Sequence, residues 1–242
     1  MAKPKKVVEK AAAKTPVAIV KAVKPKRATA PSLPLPPPPP PPPATRDELA
    51  APRDIARLLR YGEKFGAKKI DIRWSQQQLP VPSGMIAICD PGVPKTWKVL
   101  DRPAGAGGFR VMLSICKEAD KEKLAAITIH VGRPPIERWT VAHPKGQKRP
   151  KSEDQIVRVA VTTGWIALID GGDDSPGAIA VPEPAGQLVE ILLTDGRRAL
   201  VVPCGNGDFV AYWAVGPDDK PVCLVIDFEA FTQKDWKAKP TS

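Results

Sequence analysis

Histidine is nearly absent from the 242-residue chain, which has only His130 and His143, and cysteine is scarce, with four residues and no CxxC pair. No donor set therefore has the spacing of a zinc site. No GxSxG elbow, P-loop or GxGxxG occurs, and Gly105-Ala-Gly-Gly108 lacks the lysine and helix that cradle a phosphate, so no cofactor is expected. Long apolar runs are missing too. None reaches the roughly 18–20 residues that cross a bilayer. Near the N-terminus, Val7-Val8 and Val17 to Val20 are separated by Glu9, Lys10 and Lys14, which leaves no continuous core for a signal peptide. A cytoplasmic location follows as the expectation. Cys89, Cys116, Cys204 and Cys223 lie mostly in or beside apolar runs, as in Ile86-Ala-Ile-Cys89 and Val222-Cys-Leu224, where a thiol acts as a small hydrophobe. Buried free thiols are expected in preference to a Cys89–Cys223 disulfide, because an even count alone does not make a pair.

Acidic residues are missing from one region in particular. Residues 1–45 contain a single acid, Glu9, against Lys3, Lys5, Lys6, Lys10, Lys14, Lys21, Lys24, Lys26 and Arg27. That stretch accounts for +8 of the net charge of +11 and for 13 of the 30 prolines. Its apolar area is too small and its charge too uniform to offset the entropy of ordering, so a disordered tail is expected over residues 1–45. Pro36 to Pro43 are consecutive, and such a run forms a polyproline II rod of about 25 Å, at about 3.1 Å per residue. The nine cations suit non-specific contact with a polyanion such as nucleic acid, or serve only as a solvated linker. The absence of aromatics in the tail argues against base readout.

Residues 46–242 read as one globular domain. Thr45-Arg-Asp-Glu48 has the form of a capping box, and Ile55, Leu58, Leu59 and Gly62 follow a helical period, which predicts a helix over about 53–65. Arg53, Arg57, Arg60 and Lys64 would form its solvated face. Beyond it the period becomes two, in Ile70-Asp-Ile-Arg-Trp74 and again in Phe109 to Ile115. Further strands are predicted at 85–89, 97–100, 126–131, 137–142, 156–161, 165–169, 199–203, 209–215 and 222–227. Residues 117–126 suggest a short helical turn, 187–194 fit a strand or a helix equally well, and 143–155 read as an exposed basic loop. Few helical stretches separate the strands, so the fold class expected is α+β: a β-rich, mainly antiparallel sheet with one N-terminal helix. Most tryptophans lie in strands, as core residues do; Trp236, beside Lys234 and Lys237, is the one expected to be exposed.

Three apolar strands end in an acid, at Asp90, Asp170 and Asp227. Were those ends to meet at one rim, the carboxylates would share a proton or hold Mg²⁺ or Ca²⁺ and support a metal-dependent hydrolase. Aspartate is equally a preferred turn residue, its side chain bonding the backbone where a strand finishes, and that reading assigns no metal.

The stretch Pro203-Cys-Gly-Asn-Gly-Asp-Phe-Val-Ala-Tyr-Trp213, followed by Pro221-Val-Cys-Leu-Val-Ile-Asp-Phe228, resembles a bacterial family, domain-of-unknown-function 4241. Ile86-Ala-Ile-Cys-Asp-Pro91 and Gly164-Trp-Ile-Ala-Leu-Ile-Asp170 extend the resemblance over roughly residues 80–230. Two positions depart from the family pattern. Asn206 replaces an acid in the glycine-rich turn, and Thr162-Thr163 stand where an acid commonly precedes Gly164. The resemblance implies an architecture and no activity. The expected function is a non-catalytic binding module, of the immunity or accessory type, that engages another protein; the alternative is a nucleic-acid-associated protein tethered by its tail.

Overall fold

A computed structural model describes residues 48–172, 174–181 and 188–238. The lysine-rich tail of residues 1–45, with its nine cations and its proline run, lies outside the described residues, as does Thr45.

Among the described residues, thirteen strands form two antiparallel sheets. The larger runs β1 (Lys64–Phe65), β2 (Lys68–Val81), β5 (Gly107–Glu118), β6 (Lys121–His130), β13 (Pro221–Asp227), β12 (Gly207–Val215) and β7 (Arg138–Val141), with β8 (Val159–Val161) also paired to β12. The smaller runs β10 (Val189–Leu192), β11 (Arg198–Pro203), β9 (Trp165–Asp170), β3 (Ile86–Asp90) and β4 (Val93–Val99). Leu79, Val111, Ile127, Trp213 and Leu224 of the large sheet share one buried cluster with Ile86, Ile88, Ile166, Leu168 and Leu200 of the small sheet. The two sheets therefore face each other as a sandwich, and each strand alternates between this core and an outer face.

Both outer faces are covered as well. On the large sheet, Ile70, Cys116, Val225 and Tyr212 pack under Ile55, Leu58, Phe65 and Phe231. The Phe65 ring stacks on Phe231 at 4.0 Å and meets Trp236 edge-on at 4.9 Å. On the small sheet, Ala167, Ile169, Ala199 and Val201 pack with Cys89 and Ile179. All four cysteines are buried and free. Burial pushes the thiols of Cys89, Cys204 and Cys223 up to about 12, so none is poised as a nucleophile.

Several expectations are corrected. The predicted helix over 53–65 is a 3₁₀ turn, Ile55–Leu59, followed by β1. Only Ile55 and Leu58 face the sheet fully, and Gly62, at φ +80, turns the chain so that its N–H bonds the Ile70 carbonyl. Glycine inside a helix costs about 1 kcal/mol, and here the pairing with β2 wins. The capping box predicted at Thr45–Glu48 lies partly outside the described residues; the Glu48 carboxylate receives Arg102, Arg138 and Arg149. Arg57 is not solvated, for it bonds Glu63 at 2.7 Å and lies over the Phe65 ring at 4.2 Å. Residues 117–126 form the β5–β6 hairpin, with Ala119 at φ +51 in its turn. The one α-helix among the described residues, α1 (Gln233–Lys237), is C-terminal and starts at a capping box of Thr232 and Asp235. Its Trp236 is half-buried, whereas Trp74 is the exposed tryptophan, at 48%.

Candidate functional site

The chain crosses between the sheets four times, and two of the sequence-predicted acids, Asp90 and Asp170, bond a crossing segment, whereas Asp227 ends β13 away from the crossings. Between β8 and β9 the corner Thr162-Thr163-Gly164 sends its N–H groups and hydroxyls to Asp90: Thr162 N at 2.7 Å, Thr163 N at 3.1 Å, Thr162 Oγ1 at 3.1 Å and Thr163 Oγ1 at 2.7 Å. Gly92 N adds a fifth bond at 3.0 Å. Burial pushes the Asp90 carboxyl up, but these donors outweigh it and hold the group below the ordinary carboxylate range. Next to this corner, the Gly164 carbonyl accepts the N–H groups of Cys204 and Gly205 where β11 passes to β12. Asp170 holds the β2–β3 crossing through Ser83 N at 2.9 Å and Ser83 Oγ at 2.6 Å. Between β4 and β5, Asp101 accepts Trp213 Nε1 at 3.2 Å and lies 3.1 Å from His143 Nδ1.

The structure does not bring Asp90, Asp170 and Asp227 together. β3 and β9 are antiparallel with Ile86 opposite Asp170, so Asp90 stands four residues, or about 13 Å, further along. Asp227 belongs to the other sheet. No group of three His, Cys, Asp or Glu side chains suited to a metal occurs among the described residues.

Asp227 differs from the other two. It is 2% exposed, its Oδ1 accepts Glu229 N at 2.8 Å, and its Oδ2 has no hydrogen-bond partner among the described residues. Burial pushes this carboxyl up to about 6, against the opposing pull of the Glu229 N–H and of Arg53, whose Nη1 lies 3.6 Å from Oδ2. β13 pairs Asp227 with Val210 of β12. The side chain therefore shares the outer face with Val210 and Tyr212, which line a cleft of about 420 Å³. Burial, followed by the nearby Asp227, raises the Tyr212 phenol above its ordinary range. Trp236 forms one wall, with the Arg53 guanidinium 5.6 Å from its ring centre. The rim bears both signs: Asp54, Glu153 and Glu229 against Arg158 and Lys237, with Arg158 bonded to Glu229 at 2.9 Å.

Arg53 reads in sequence as one more solvated cation and Tyr212 as core, and Arg158 carries no motif. Nothing local marks them, since β12, β13, α1 and the 3₁₀ turn meet only in the folded chain. No family model, no curated protein and no solved structure matches the chain.

Proposed function

We propose that the protein is a non-catalytic, cytoplasmic binding module, of the immunity or accessory type, that engages another protein through the cleft above Asp227. One observation carries the reading: Tyr212, Trp236 and Arg53 converge over a buried, incompletely bonded carboxyl, inside a rim of charges of both signs. Tyrosine, tryptophan and arginine are the residues enriched where binding energy concentrates, and an apolar centre with a polar rim is the usual anatomy of a protein interface. The four buried free thiols suit a reducing compartment. Purification of the full chain on an affinity tag from its native cells tests the function. A stoichiometric polypeptide should be recovered with the wild type and fall at least tenfold with Glu153→Lys/Lys237→Glu, a pair of exposed rim changes. Recovery of no such polypeptide, or equal recovery by the variant, overturns it.

On the residues that carry it, the resemblance to the 4241 family is part of the same proposal. Its glycine-rich turn, Gly205-Asn-Gly207, opens β12, and its Asp-Phe pair closes β13 beside the cleft. A solved family member with a different strand order would remove that support.

A further inference from the structure

Asn206 is the one asparagine in the chain's 242 residues, and Gly207 follows it. The pair sits in the short connection between β11 and β12, where the chain passes from the small sheet to the large. The fold asks for glycine on both sides. Gly205 has φ +79, and a Cβ on Gly207 would lie 2.9 Å from carbons of the Phe209 ring, which is held in the core edge-on to Phe228. Asn206 is exposed, and its side chain takes no part in the bonds that fix the connection. Those run from the N–H groups of Cys204 and Gly205 to the Gly164 carbonyl, both at 3.0 Å. With no Cβ on Gly207, nothing shields its backbone nitrogen from the neighbouring side-chain amide. Two Asp-Gly pairs are able to form the same ring but are restrained. Asp170, before Gly171, is buried and bonds Ser83 N and Oγ. Asp195, before Gly196, accepts Arg197 N at 2.9 Å, Nε at 2.8 Å and Nη2 at 2.6 Å, and Arg197 holds its carboxyl below the ordinary range. An ionised carboxylate is a poor electrophile, whereas Asn206 carries a neutral amide.

We propose that Asn206 is a site of spontaneous modification, converted to aspartate and isoaspartate by attack of the Gly207 nitrogen, and that the isoaspartate loosens β8 from β12. The Gly207 N–H gives its proton to hydroxide as the bond from its nitrogen to Asn206 Cγ forms. The Cγ–Nδ2 bond then breaks, and ammonia leaves with its third hydrogen taken from water, which closes a five-membered succinimide. A second water opens the ring at either carbonyl. The net change is one amide and one water to one acid and one ammonia, with no oxidant or cofactor. Attack within one dipeptide needs no encounter between separate molecules. Both products put a negative charge beside Gly164, since Asn206 Oδ1 lies 3.5 Å from where a Gly164 Cβ would stand. Thr162 and Thr163, the donors to Asp90, are the residues before it. Isoaspartate also adds a carbon to the main chain where β12 begins, at Gly207 opposite Val161 of β8. A pairing only three residues long has little else to hold its register. The inference does not rest on partner binding above Asp227.

Intact-mass spectrometry and peptide mapping of the full chain, held at 37 °C at pH 7 and at pH 9, test the proposal against the same chain unfolded in guanidinium chloride. The wild type should gain the mass of one amide turned to one acid, mapped to Asn206, with isoaspartate the larger product. The folded chain should convert at no less than a tenth of the unfolded rate, and at least tenfold faster at pH 9 than at pH 7. Asn206→Gln, whose longer side chain closes a ring less readily, should stay unchanged over the same period. Hydrogen exchange over residues 159–161 should quicken in the isoaspartate form and not in Asn206→Asp, which has the charge without the added carbon. A folded chain that stays unmodified while the unfolded chain converts fully, a mass gain that persists in Asn206→Gln, or unchanged exchange in the isoaspartate form overturns it.

Discussion

Two buried aspartates in one molecule respond to pH in opposite directions. Asp227 has a folded value of about 6, above its ordinary 3.8. Between those values the folded state holds the extra proton, so stability is highest below about pH 4 and falls until about pH 6. A shift of that size corresponds to about 3 kcal/mol. Asp227→Asn keeps an acceptor for Glu229 N and removes the charge. Urea unfolding should find this variant more stable than wild type by about 1–3 kcal/mol at pH 7.5, with the fall that Asp227 causes between pH 4 and 6 gone. Lower stability at pH 7.5 would show that the Arg53 contact outweighs desolvation. Asp90 is held below its ordinary value, so its contribution is present above about pH 4 and lost as pH falls through the depressed folded value. Asp90→Ala leaves the N–H groups of Thr162, Thr163 and Gly92 without their acceptor. A loss of about 3–5 kcal/mol is expected in the same measurement. A loss below about 1 kcal/mol would mean that the corner holds without this clip.

At the scale of elements, strands were legible and their partners were not. Alternation marks β2 and β5 because every second side chain meets a core, and Gly, Pro and Asp mark the ends of strands. The division into two sheets depends on crossings stabilised over long separations, 72 residues between Asp90 and Thr162 and 87 between Ser83 and Asp170. No local period encodes such a pair. The aspartates were visible as strand-ending residues, but the loop each one holds was not. The helix over 53–65 misled for a related reason. Ile55, Leu58 and Leu59 carry one turn of helical spacing, and the next residues are drawn into pairing with β2. α1 was missed because five residues are too few to show a period. It contributes through Trp236 against Phe65 and Phe231. Trp236→Ala should cost about 2 kcal/mol, less than the 3–5 of a fully buried tryptophan because the ring is half-exposed. Thermal unfolding checks it, and an unchanged midpoint would show that α1 adds nothing to this face.

For the whole molecule, charge separates the chain into parts with different physics. Residues 46–242 carry 28 basic and 25 acidic side chains, a near balance that weak surface pairs such as Arg158–Glu229 and Arg198–Glu190 largely absorb. Residues 1–45 carry nine cations and one acid. A polyanion is therefore expected to gain most of its attraction from the tail. Each neutralised phosphate of a duplex releases counterions, so the logarithm of affinity falls linearly with the logarithm of salt. Nine engaged cations set a limiting slope of about −8, at about 0.9 per contact. Fluorescence anisotropy of the full chain with a labelled 20-base-pair duplex, from 50 to 300 mM NaCl, should give a steep negative slope that does not depend on duplex sequence. Deleting residues 1–43 should reduce the slope to less than about −2, because a net charge of about +3 spread among ion pairs offers few free contacts. The same slope in the truncated chain would place the polyanion contacts on the sandwich and leave the tail as a linker.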